Sequence, residues 1–174
     1  MNWNYFTFAK SHAGKVRPYN EDALLDMTEQ HIWVVADGMG GHKGGDIASQ
    51  MSVQLVPDYI KNKLDGTEGH EQIIALLKEA ILHANTHILQ KSTHNEQLKG
   101  MGTTIVAALV ERDVGVMHLA HVGDSRCYRL RGGHVELLTQ DHSLANDVLE
   151  LAPEIDDERA RALPPRVITR ALGM

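Results

Sequence analysis

The chain of 174 residues is 43% hydrophobic, enough for one core, and is expected to form a single domain over residues 1–174. A net charge of −6 with no long basic run argues against nucleic acid as a partner. No apolar stretch reaches membrane-spanning length, and Met1-Asn-Trp-Asn-Tyr5 lacks the basic-then-apolar pattern of a secretion signal, so no membrane partner is expected. Cys127 is the only cysteine, which rules out an intrachain disulfide and fits a cytoplasmic setting.

A first strand is predicted near 4–11, followed by a turn carrying Arg17, Pro18 and Asn20. Glu21 and Asp22 lead into a strand over 22–27. Arg17 offers a planar fork of donors suited to phosphate oxygens, although a guanidinium near two carboxylates also reads as a plain surface ion pair. The next strand, over 31–37, carries Ile32, Val34 and Val35, the β-branched character of a strand packed on both faces.

That strand ends in Asp37, and Gly38-Met-Gly-Gly-His42 follows at once. A charge leaving the core is costly unless a cation or hydrogen bonds meet it, and glycines leave the backbone bare for a ligand. A carboxylate beside an exposed carbonyl suits a hard divalent cation; a strand followed by a tight turn capped by Asp37 is the plainer reading. Two nucleotide-binding patterns fail here. G-x-G-x-x-G from Gly38 needs glycine where Lys43 stands, and a P-loop needs Ser or Thr where Gly44 stands.

A helix is predicted from about Gly45, carrying Ile47, Met51 and Leu55, with Pro57 ending or kinking it. A longer helix over 70–92 presents Ile73, Leu76, Leu77, Ala80, Ile81, Ala84 and Ile88 as one stripe at helical spacing. Strands follow near 103–111, 114–122, 125–131 and 134–139. A helix over 143–150 opens at Asp141 or Ser143 as N-cap. The region 153–166, with Pro153, Pro164 and Pro165, reads as a connection. The histidines make a poor zinc site: His83 and His87 share a helix face but lack the glutamate of H-E-x-x-H, and His118 and His121 fall on opposite strand faces.

Six colinear segments give the chain a recognisable pattern: Arg17-x-x-Asn20-Glu21-Asp22, Val35-Ala-Asp37-Gly-Met-Gly-Gly-His42, Gly102-Thr-Thr104, Gly123-Asp-Ser-Arg126, Asp141-His-Ser143 and Val167-Ile-Thr-Arg-Ala-Leu-Gly173. Together they resemble the PP2C (PPM) family of metal-dependent protein serine/threonine phosphatases, in its bacterial form. The resemblance implies an α+β fold, an α-β-β-α sandwich of two antiparallel sheets flanked by helices. It implies two or more Mn²⁺ or Mg²⁺ ions and in-line attack by a metal-activated water on phosphoserine or phosphothreonine, without a phosphoenzyme. The expected partner is a phosphoprotein that a serine/threonine kinase has modified.

Carried over residue by residue, Asp37 resembles the carboxylate bridging two ions, with the Gly38 carbonyl on one of them. Glu21 and Asp22 resemble holders of metal-bound waters, with Asp22 also orienting the nucleophile. Arg17 resembles the guanidinium gripping phosphate, and Asp124 the acid at an additional metal. Met39 stands where eukaryotic relatives often carry a histidine, so the general acid is unassigned, and His42 does not inherit that role. The family pattern continues past Gly173 to a Ser-Asp-Gly strand end and an Asp-Asn pair, neither of which occurs in these residues. The fold is therefore expected to be incomplete at its C-terminus, leaving sheet edges uncovered and a tendency to self-associate. The alternative function is a catalytically inactive truncated form, or pseudophosphatase, that binds a phosphoprotein or other partner.

Overall fold

A computed structural model describes residues 5–40, 44–67, 69–152, 164 and 167–174. Chain order begins with a hairpin, β1 (Asp22–Met27) and β2 (Ile32–Met39), then two helices, α1 (Gly45–Leu64) and α2 (His70–His94). Strands β3 (Gly102–Thr103), β4 (Ile105–Glu111) and β5 (Val116–Val122) complete an antiparallel sheet ordered β1-β2-β4-β5, with β3 pairing onto β2. A second antiparallel sheet consists of β6 (Tyr128–Arg131) and β7 (His134–Leu137), and α3 (Leu144–Leu151) follows. The α+β class with two antiparallel sheets and helices is thus borne out. Among the described residues the second sheet is a two-stranded hairpin.

Strand alternation decides what lies where. Ile32, Val34 and Ala36 of β2, with Ile105, Ala107 and Leu109 of β4, are buried on the face that meets the helices. The stripe Ile73, Leu76, Leu77, Ala80, Ile81, Ala84 and Ile88 of α2 is wholly buried in the same core, as its spacing predicts. On α1 the fully buried face is Ala48, Ser49, Ser52, Val53, Val56 and Ile60, with Ile47, Met51 and Leu55 packed at its margin. The two small buried serines satisfy themselves on backbone: Ser49 Oγ donates to the Glu21 carbonyl (2.6 Å) and Ser52 Oγ to the Ser49 carbonyl (2.8 Å).

Several expectations need correction. Residues 5–11 form no strand: Phe6 and Phe8 are 98% and 89% exposed, and no neighbouring chain offers them a ladder among the described residues. Their alternating aromatics mimic strand periodicity, while Tyr5 alone packs, against the rings of His31 and Trp33. β2 is packed on one face only; Val35 is 51% exposed, on the side away from the helices. It also runs two residues past Asp37, so that carboxylate projects from within a strand and not from its end.

Pro57 neither ends nor interrupts α1, which continues to Leu64. The ring is buried between Val56 and Ile60, and core packing there outweighs the lost backbone bond. Thr104 splits the predicted 103–111 strand into β3 and β4. Residues 125–127 precede β6 without joining it. Ser143, not Asp141, caps α3, accepting from the Asn146 N–H. His42, and the predicted connection over 153–166 apart from residue 164, lie outside the described residues.

The segment 167–174 is stitched to the core. Thr103 and Leu172 exchange backbone hydrogen bonds (3.0 and 2.9 Å), the Gly173 N–H donates to Asn85 Oδ1 (2.8 Å), and the Leu172 side chain is buried. Ile105, fully buried at the start of β4, is the sharpest test of this packing. Ile105→Ala is expected to lower unfolding free energy by about 2–5 kcal/mol, read from urea denaturation at constant m-value.

Candidate active site

The β1–β2 register sets Asp22 directly opposite Asp37. Both belong to the sheet face turned away from the helices, so two carboxylates meet on neighbouring strands. Like charges in that position repel. The Asp37 carboxyl is pushed above the ordinary aspartate range, first by burial, then by the charge and hydrogen bonding of Asp22 and, less strongly, the charge of Asp124; Arg17 opposes the shift.

Asp37 is held by its backbone. Its N–H donates to Thr104 Oγ1 (3.0 Å), while its carbonyl accepts from the Thr104 N–H (2.9 Å) and from Thr103 Oγ1 (3.0 Å). Thr104 Oγ1 also bonds Ser125 Oγ (2.6 Å), tying β2 to the turn that carries Asp124. Gly123 in that turn has φ +105°, and a Cβ there would lie 2.6 Å from Thr104 Cγ2. Only glycine lets the turn approach so closely.

The Asp141-His-Ser143 segment braces the same turn from behind. The Gly123 N–H donates to His142 Nδ1 (3.1 Å) and its carbonyl accepts from the His142 N–H (3.0 Å). Nδ1 must therefore be the unprotonated nitrogen. Burial, reinforced by the charge of Arg170, lowers the His142 pKa and favours that neutral ring. Arg126 grips Asp141 through Nε and Nη2 (2.8 and 2.6 Å), a bidentate pair that fixes the start of β6.

Gly38 sits where β2 meets the start of α1. Its N–H donates to the Glu21 carbonyl (3.1 Å), and a Cβ at Gly38 would fall 2.1 Å from the Gly45 carbonyl oxygen. A Cβ at Gly45 would in turn lie 2.8 Å from Glu21 Oε1. Three backbone segments thus converge with no side chain between them, and the first turn of α1 is brought to the cleft.

That cleft has a volume of about 910 Å³ and is lined by Arg17, Glu21, Asp37, Gly38, Asp46, Thr104 and Asp124, with Tyr19, Met39 and Ile168 among its other walls. Five of the six sequence-derived site residues line it, and Asp22 joins through its pairing with Asp37. Sequence reasoning missed Asp46, because an acid in the first turn of a helix reads as a complement to the helix dipole. It also assigned no role to Thr104 or Ser125, although both lie in segments of the pattern. The donor set is all oxygen, four aspartates, one glutamate and a backbone carbonyl, which fits hard divalent cations. Among the described residues no three of these carboxylates bring oxygens within 4.8 Å of one another.

Comparison with known proteins gives this chain a lineage. Residues 10–166 match the family described as protein phosphatase 2C. The serine/threonine phosphatase Stp of Listeria welshimeri is 38% identical over 169 residues, covering 95% of this chain and 66% of its own length. The serine/threonine phosphatase of S. agalactiae superposes with a TM-score of 0.77 at 34% identity, over 92% of this chain and 66% of that one. The catalytic domain of the phosphatase PstP, solved in complex with 2 manganese ions, gives a TM-score of 0.70 at 32% identity, over 92% of this chain and 63% of its own. The chain thus spans just under two-thirds of the length of these relatives. By sequence match and by shape, the chain belongs to the protein phosphatase 2C family.

Proposed function

We propose that this chain carries the site of a protein serine/threonine phosphatase that hydrolyses phosphoserine or phosphothreonine with Mn²⁺ or Mg²⁺ as cofactor. The observation that carries the reading is one cleft containing a guanidinium, opposed carboxylates and a bare backbone carbonyl, in which burial and neighbouring charge push up the carboxyl of Asp37. Such a carboxylate is stabilised by a cation, and the manganese complex of PstP supports the same use of the site. Its substrate is a phosphoprotein made by a serine/threonine kinase. The single cysteine fits the cytoplasm, and among the described residues no helix is long and apolar enough to cross a membrane.

Divalent ions bound here would lower the pKa of a water and neutralise charge on the transferring phosphoryl group. Asp37 and the Gly38 carbonyl would hold them, with Glu21, Asp22 and Asp124 completing the oxygen set. Arg17, on the exposed rim, would bind and orient the phosphate by paired N–H donors. Asp22, across the strand pair from Asp37, would accept a proton from the attacking water and fix its direction. Thr104 positions Asp37 through the backbone, accepting its N–H.

Two outcomes test this. The chain is expected to hydrolyse a phosphothreonine peptide only with Mn²⁺ present; Asp37→Asn abolishes turnover, and Arg17→Ala lowers kcat/KM by about a hundredfold. A folded chain that binds Mn²⁺ yet shows no turnover would make it a binding protein instead. In thermal melts, Mn²⁺ at about 100 times its Kd adds about 2.7 kcal/mol to the parent. Asp37→Asn raises the Tm of the metal-free chain, because it deletes a desolvated charge among like charges, and it loses the Mn²⁺ gain.

A further inference from the structure

A second donor cluster lies at the other end of the sheet. His70 is the first residue of α2, Glu111 the last of β4, and His118 stands on β5 facing the helices. Glu111 Oε2 lies 3.1 Å from His70 Nδ1 and 3.1 Å from His118 Nε2, and the three donor atoms fall within 4.8 Å of one another. The separation from the cleft is large: Thr104 and Glu111 bound β4, about 23 Å of extended strand. This cluster shares no residue with the acidic site.

We propose that His70, Glu111 and His118 form a binding site for a borderline transition-metal ion of the Zn²⁺ class, clamping the start of α2 to the β4–β5 hairpin. Two imidazoles and one carboxylate are the ligand set that such ions take and that Mg²⁺ does not. A tetrahedron with metal–ligand bonds of about 2.0–2.1 Å has edges of about 3.3–3.4 Å, close to the two 3.1 Å separations already present. His118 is only 6% exposed and Glu111 18%, so two of the three donors are fixed by the fold. The His70 side chain is 59% exposed; it can swing to close the third edge and leaves the fourth position open to water or an outside ligand. The competing state is a metal-free knot in which both rings donate to Glu111.

Neither histidine pairing visible in sequence builds this site. The His83 and His87 rings meet at 4.2 Å with their planes tilted by 51°, and His87 Nδ1 engages the His83 carbonyl. His121 stacks on His142 at 4.9 Å, on the face opposite His118. The site depends on three elements brought together only by folding.

The test is titration of the untagged chain with Co²⁺, in an Asp37→Asn, Asp124→Asn background that disables the acidic cleft. The expected result is one equivalent bound, with the strong visible d–d absorption of a four-coordinate ion, displaced by Zn²⁺. His70→Ala and Glu111→Gln should each abolish that absorption and weaken binding by at least the roughly tenfold that even an outer-sphere partner costs. Both positions reach solvent, and circular dichroism confirms that the variants fold. In the Asp37 and Asp124 parent, Mn²⁺-dependent turnover should survive His70→Ala. Absence of the four-coordinate spectrum, or a spectrum indifferent to both substitutions, overturns the site and leaves the hydrogen-bonded knot.

Discussion

Everything at the acidic end of this molecule hangs on the backbone contact between Gly38 and Gly45. A Cβ at either position would fall inside a neighbouring carbonyl or carboxylate, so β2, the residue before β1 and the start of α1 touch at main-chain distance. This approach lines the cleft with Gly38 and Asp46 together. It also explains why α1 is faced with Ala48, Ser49 and Ser52 where it meets β2, and turns to larger Val56 and Ile60 further on.

The cost of assembling the site is electrostatic. Asp22 and Asp37 face one another across a strand pair, Asp124 adds to them, and only Arg17 offsets the charge on Asp37. A sheet selected for stability would not place acids so. The rigid part is the scaffold beneath: Asp37 is bonded at N–H and carbonyl by Thr103 and Thr104, and the Asp124 turn is tied by Ser125, His142 and Gly123. Local rules of strand design are broken where Asp22 and Asp37 face each other and obeyed around them, a division expected where function competes with fold.

How much of this was legible in sequence depended on whether the signal was local. The α2 stripe is legible residue by residue, because helical spacing is a local property and one core absorbs it. Arg17, Glu21, Asp37, Gly38 and Asp124 were found through a pattern spread over most of the chain, and they line one cleft. Failures came where distant packing overrode a local cue. Pro57 reads as a helix end or kink until burial holds it in place, and the stretch near 4–11 reads as a strand, yet residues 5–11 meet no partner strand among the described residues. Asp46 looked like an ordinary helix-start acid, and His70, Glu111 and His118 carry no spacing signal at all, being 41 and 7 residues apart along the chain.

The pairing of Thr103 with Leu172 bears on how the chain reaches this state. The β1–β2 hairpin and the α1–α2 pair join near neighbours, whereas this pairing, like that of β2 with β4, closes a loop of about 70 residues, at an entropic cost of about 4 kcal/mol. Contacts of such long span are made late, once a collapsed core rewards them. Ile168, in the same segment, forms one wall of the acidic cleft. Detachment of 167–174 would therefore strip one wall from the cleft while leaving the β1–β2 and β2–β4 pairings beneath it intact.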